Sequence, residues 1–177
     1  MWTECESYKH KCAKEIVKGW IDSQEEIPTN YEYERSSGVY KLGSDRRNRD
    51  EVWLEYPVGY YKEGANSIHT LFDEAWDECS GYTMIGEECV ETNYNPVPTY
   101  QQCMENNFNV VAVLDIACQH KGSIFQGIEI CHKNPVSDKK VQKLKEIGLN
   151  NLVEIDADWV LNQVGIPKEI KLKRILI

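Results

Sequence analysis

The chain has 177 residues, 41% of them hydrophobic and 28% charged, with a net charge of −9. That balance suits one globular domain with its own core and room for an insertion. It excludes a basic nucleic-acid coat. A chain this acidic meets phosphate only through a local basic face or a bound divalent cation.

The opening stretch, MWTECESYKHKCAKEIVKGW, has no apolar core of the kind a secretory signal carries. No apolar run approaches the roughly 18 residues of a membrane span. An intracellular, non-secreted protein with no membrane partner is the expectation. The seven cysteines form an odd count without a C-x-x-C pair, so reduced thiols are expected rather than a disulfide framework.

Glu4 to Asp22 reads as a first helix, with Cys5, Tyr8, Cys12, Ile16 and Trp20 near helical spacing as its buried stripe. Pro28 marks its exit, and GSDRRNRD at 43–50 is a polar loop. VWLEYPVGYY at 52–61 is rich in β-branched and aromatic residues. It predicts a strand broken or bulged at Pro57 and Gly59. Asn66 to Cys79 reads as a helix, Ser80 to Asn95 as a loop or inserted excursion, and Thr99 to Glu105 as a short helix.

From Asn109 the pattern sharpens. VVAVLDIA at 110–117 is an apolar run broken by one acid, and SIFQGIEIC at 123–131 alternates through Ile124, Ile128 and Ile130. Together they predict a β-hairpin turning at Lys121-Gly122. Ser137 caps a helix from Asp138 to Ile147, with Gly148 just past its end. Leu152 to Ile155 is a strand expected to run parallel to the preceding one through a helical crossover. Asp158 to Gln163 is a short helix, and the tail KEIKLKRILI is an amphipathic terminal strand or helix. The fold class is α/β with a mixed sheet flanked by helices, in one domain. Within it, 1–22 is a leading helix, 27–105 a strand plus a loop-rich insertion, and 109–164 the core that carries the chemistry.

Asp115 and Glu129 carry that chemistry. Each stands among aliphatic residues in a strand, where an unpaired carboxylate costs several kcal/mol to bury. On adjacent antiparallel strands two such acids face each other and are able to share a cation. Oxygen donors of this kind suit Mg2+ or Mn2+, and the Ile130 carbonyl offers a third oxygen. Strand-end or solvent-facing acids are the alternative. Without metal the two carboxylates repel, so at least one is expected to hold its proton more tightly than a free acid. Asp115→Asn is then expected to leave the fold intact or slightly more stable.

The segment VVAVLDIACQHKGSIFQGIEICHKNPVSDKKVQKLKEIGLNNLVEIDADWVL resembles the nuclease core of the competence protein CoiA-like family, within the PD-(D/E)XK (restriction-endonuclease-like) superfamily. The likeness rests on an Asp in an apolar strand, a Lys-Gly turn, an I-E-I strand, a capped helix and an L-V-E-I-D strand. ESYKHKCAKEIVKGWI resembles the family's leading helix, with Glu6, His10 and Lys14 spaced by four on one face. The resemblance implies a restriction-endonuclease-like core and a metal-dependent nuclease acting on nucleic acid, with DNA ahead of RNA. It implies Asp115, Glu129 and Ile130 as ligands of Mg2+ or Mn2+, and Glu6, His10 and His132 as accessory residues.

One departure stands out. The superfamily motif ends in E-x-K, and here Cys131 takes the lysine's place. Lys14 is the first candidate to substitute for it, then Lys121, with Lys133 further off. A non-catalytic nuclease-fold protein that binds nucleic acid or protein is the competing expectation. Structural zinc on Cys79, Cys89, Cys103 and Cys118 is a weaker alternative, because their spacings match no common module. Lys168, Lys171, Lys173 and Arg174 in the tail form a minor candidate for a DNA-facing strip.

Overall fold

In the computed structural model the described residues are 7–24, 26–32, 39–43, 51–61, 82–85, 88–91, 103, 105, 107–120 and 123–177. The expected helix at 66–79, most of that at 99–105, the polar loop 44–50, the Lys121-Gly122 turn and Glu6 lie outside them.

Helix α1 spans Tyr8–Ser23, and the Ser7 side chain caps it by accepting the His10 N–H. Its buried residues are Ala13, Lys14, Val17, Trp20 and Ile21. Of the expected stripe Trp20 is buried, Cys12 and Ile16 are half-buried, Tyr8 is exposed, and Cys5 lies outside the described residues. The helix is turned so that His10 and Lys14 meet acids in the sheet while the small Ala13 and Val17 pack close to it.

Two strands that the sequence did not announce follow: β1, Ile27–Glu32, and β2, Val39–Leu42, an antiparallel ribbon. Pro28 lies inside β1, and its carbonyl accepts the Ile170 N–H at 2.8 Å, which ties the ribbon to the C-terminal segment. Strand β3, Glu51–Tyr61, runs unbroken through Pro57, with the register slipping between Val58 and Gly59. A proline is tolerated there because β3 is an edge strand. Strands β4, Tyr82–Ile85, and β5, Glu88–Glu91, pair as a second ribbon where a loop was expected. The Tyr-Thr-Met-Ile and Glu-Cys-Val-Glu runs show no strict alternation, and four residues are too few for a period to stand out.

The remaining elements are β6, Phe108–His120, β7, Ser123–Cys131, helix α2, Asp138–Glu146, β8, Leu152–Asp156, helix α3, Ala157–Leu161, and β9, Leu172–Ile175. The main sheet is ordered β3-β6-β7-β8-β9 and is mixed: β7 and β8 are parallel across α2, and the other neighbours are antiparallel. The amphipathic tail is thus a strand.

Each face of the sheet has its own core. Ala13, Val17, Trp20 and Ile21 of α1 pack with Ile116, Cys118, Ile128, Ile130, Val153 and Ile155. Trp20 meets Trp159 of α3 edge-on, with ring centroids 6.1 Å apart. On the other face Leu144 of α2, with Ile147 and Leu149 just beyond it, packs with Tyr56, Val58, Leu114, Ala117 and Leu152.

One irregularity positions the site. Leu114 and Ile116 are two apart in β6 and should share a face, yet they belong to opposite cores. Leu54 and Tyr56 in β3 do the same. Between the second pair lies Glu55, whose φ of 52° is a left-handed conformation that non-glycine residues rarely adopt. The two strands therefore roll over together at the level of Glu55 and Asp115.

Candidate functional site at the fork of β6 and β7

The register of β6 on β7 pairs Ile116 with Ile128 and Ala117 with Gly127. Continued by one step, it sets Asp115 opposite Glu129. At that step the ladder opens. The Ile130 N–H, instead of reaching the β6 backbone, donates to Asp115 Oδ2 at 2.8 Å. His10 Nε2 donates to the same oxygen at 3.0 Å. The Asp115 side chain thus fills the fork between two strands and joins them to α1.

Glu129 is 3% exposed. Its Oε2 accepts from Lys140 Nζ of α2 at 2.6 Å, while its buried Oε1 has no hydrogen-bond partner of ordinary geometry among the described residues. Such an orphaned oxygen carries the full desolvation penalty. The two acids respond in opposite ways. Burial pushes the Glu129 carboxyl up to about 7, the Lys140 ammonium opposing this and the Asp115 charge adding to it. Burial also pushes Asp115 up, but the His10 hydrogen bond, the Ile130 N–H and the charges of His10 and Lys140 outweigh it. Asp115 ends below its ordinary value. Near neutral pH Asp115 is therefore the ionised member of the pair, and Glu129 holds its proton well above the ordinary carboxylate range.

A row of charged residues crosses the sheet at this level. Glu129 stands beside Glu154 of β8, and Glu154 beside Arg174 of β9. Arg174 grips Glu154 with two nitrogens, each at 2.9 Å, and Glu154 Oε2 also accepts the Val136 N–H at 2.7 Å. Every charge on this fully buried Glu154 is answered, so it is a structural ion pair that anchors the segment leading into α2. It is no part of the opening between Asp115 and Glu129.

Of the residues singled out in the sequence, the fold brings Asp115, Glu129, Ile130 and His10 together. Ile130 contributes its N–H, and in a strand the carbonyl of the same residue points to the same side. Lys14 is buried one turn beyond His10 and forms an ion pair with Glu55. That pair ties it to β3. His132 shares a hydrogen bond with Ser7 Oγ at 2.9 Å, at the entrance to α1. Glu6 and Lys121 lie outside the described residues. Cys131, in the motif-lysine position, is buried and accepts from Lys173 Nζ at 3.0 Å. Cys12, Cys103, Cys118 and Cys131 are free thiols.

The residue that the sequence reading missed is Lys140. It is the cation that touches Glu129, and its signal was in plain view. In D-K-K-V-Q-K-L-K-E it falls in the first helical turn, where the helix dipole disfavours a positive charge. At Lys140 the Glu129 carboxylate offsets that cost. Among the described residues, no three His, Cys, Asp or Glu side chains are grouped to hold a metal ion, and no helix is long and apolar enough to cross a membrane. Neither protein-family models, nor curated proteins, nor solved structures match the chain.

Proposed function

We propose that the fork is the active site of a divalent-metal-dependent nuclease with a restriction-endonuclease-like core, hydrolysing phosphodiester bonds in nucleic acid, DNA ahead of RNA. The observation that carries this reading is the buried Oε1 of Glu129, without a hydrogen-bond partner among the described residues, beside an Asp115 carboxyl held below its ordinary value. An all-oxygen donor set of two carboxylates and the Ile130 carbonyl suits Mg2+ or Mn2+, which retain several waters. Asp115 and Glu129 would hold the cation, and when bound it supplies Lewis acidity toward a phosphate oxygen and toward water.

The chain's own residues do the rest. His10 and the Ile130 N–H fix the Asp115 carboxylate before any ligand arrives. Lys140 replaces the missing motif lysine: released from Glu129, its ammonium faces the negative charge that builds on a phosphate under attack. Burial of Glu129 keeps the pair from carrying two full charges until a cation neutralises them.

A second reading, a non-catalytic nuclease-fold binding protein, is favoured by Cys131. Its thiol replaces the motif lysine and is engaged by Lys173. Incubation with Mg2+ or Mn2+ and single- and double-stranded DNA and RNA separates the two. Cleavage that disappears in folded Asp115→Asn and Glu129→Gln variants supports the nuclease. Intact nucleic acid in every combination, from wild-type protein that binds it, selects the second.

A further inference from the structure

Helix α2 carries four lysines against two acids, in a chain whose net charge is −9. Their placement is uneven. Lys143 and Lys145 lie in the last turn, where the helix dipole favours cations. Lys139 and Lys140 lie in the first turn, where it does not. Lys140 is accounted for by Glu129. Lys139 is exposed, and among the described residues neither it nor Lys143 makes an ion pair. Asp138 is the acidic residue of that first turn, and no ion pair to Lys139 is formed among the described residues.

Helical geometry sets Lys139 and Lys143 about 40° apart, and Lys143 about 60° from Lys140. The three lysines therefore share one flank that ends at the Glu129 carboxylate, with Glu146, bonded by Gln142, at its far edge. Lys145 lies about 160–200° around the helix from Lys143 and belongs to the other flank. Leu144 and Ile147 hold the helix by their buried side chains, so the lysine flank has a fixed position relative to the fork. In a chain of net charge −9 such a flank offers a polyanion a locally positive surface.

We propose that the Lys139–Lys143 flank of α2 is the track on which a nucleic-acid backbone lies, with one phosphate delivered at Lys140. The direction of the strand toward the fork rests on the nuclease reading above; the binding of phosphates to the flank does not. Lys139 and Lys143 each neutralise one phosphate and position the strand without reading its bases.

Fluorescence anisotropy of a labelled single- or double-stranded DNA oligonucleotide with the full chain in EDTA tests this, since cleavage plays no part. Lys139→Glu/Lys143→Glu is expected to weaken binding at least about tenfold and to reduce the salt dependence of log K by about two phosphates' worth, roughly 1.4–1.8 in slope. Lys145→Glu makes a single reversal on the opposite flank and is expected to change affinity less than about threefold. Lys143→Glu alone, compared with it, keeps the charge change equal. Equal losses for Lys143→Glu and Lys145→Glu, or no binding by the wild type, overturn the track. So does binding of phosphatidylserine vesicles in place of oligonucleotides. Binding that depends on Lys139 and Lys143, without cleavage in Mg2+ or Mn2+, keeps the track and removes the nuclease.

Discussion

The His10 imidazole and the Asp115 carboxylate, 105 residues apart in the chain, meet at 3.0 Å. One turn later Lys14 meets Glu55, the residue across β3 from Asp115. Two base–acid pairs on one stripe of α1 thus clamp the level at which β3 and β6 roll over. This clamp explains why the helix buries Ala13 and Val17 rather than Cys12 and Ile16. It also explains why Asp115 is the ionised member of the acid pair.

Asp115→Asn is therefore expected to destabilise the protein, reversing the expectation drawn from repulsion between the two acids. The amide loses the charge that His10 and the Ile130 N–H hold, at a loss of about 1–3 kcal/mol near pH 7. Asp115 has a depressed value in the fold. Its contribution is present above the ordinary carboxylate range and disappears as pH falls through the folded value. Urea denaturation of wild type and variant should differ clearly near neutrality and converge as pH falls below the ordinary carboxylate range.

Glu129→Gln should behave in the opposite sense. With its carboxyl raised to about 7, the folded state disfavours the charged form. The penalty is absent below the ordinary value, grows between it and about 7, and is complete above. In metal-free buffer the variant should gain roughly 1–3 kcal/mol over wild type at about pH 8 and little near pH 5. Added Mg2+ or Mn2+ should raise the Tm of wild type and leave that of the variant unmoved. A variant less stable than wild type at both pH values would refute this account of Glu129.

Lys140→Met tests the substitute for the motif lysine. If the fork cleaves nucleic acid, turnover should fall by roughly 10²–10⁴-fold. Mn2+ affinity, measured by calorimetry, should hold or rise, because Lys140 no longer competes for Glu129 Oε2. Unchanged turnover would remove Lys140 from the mechanism.

Lys14 and Glu55 are expected to act on stability. Lys14 is 3% exposed, so Glu55→Ala takes a half-exposed acid partner from a buried ammonium and should cost about 1–3 kcal/mol. Lys14→Met removes the charge and keeps the volume, and should stay within about 1.5 kcal/mol of wild type. Any effect of Lys14→Met on turnover should be far smaller than that of Lys140→Met. The reverse order would restore Lys14 as the catalytic cation.

The sequence by itself determined the second half of the molecule. The β6–β7 pair, the Ser137 cap, the parallel β8 and the position of two acids in apolar strands all follow from local periodicity and turn chemistry. Those signals are dense between Val110 and Asp156, because each element there is long or sharply bounded. Only the tertiary structure decided the rest. The β1–β2 and β4–β5 ribbons are too short to carry a periodic signal, and they exist through pairing. The rotation of α1, the commitment of Lys14 to Glu55 and the arrival of Lys140 at Glu129 depend on contacts between distant segments. So do the unequal fates of Asp115 and Glu129, which no spacing encodes. Burial and partner charges set the proton affinity of each acid, and those come from which helix packs on which face of the sheet.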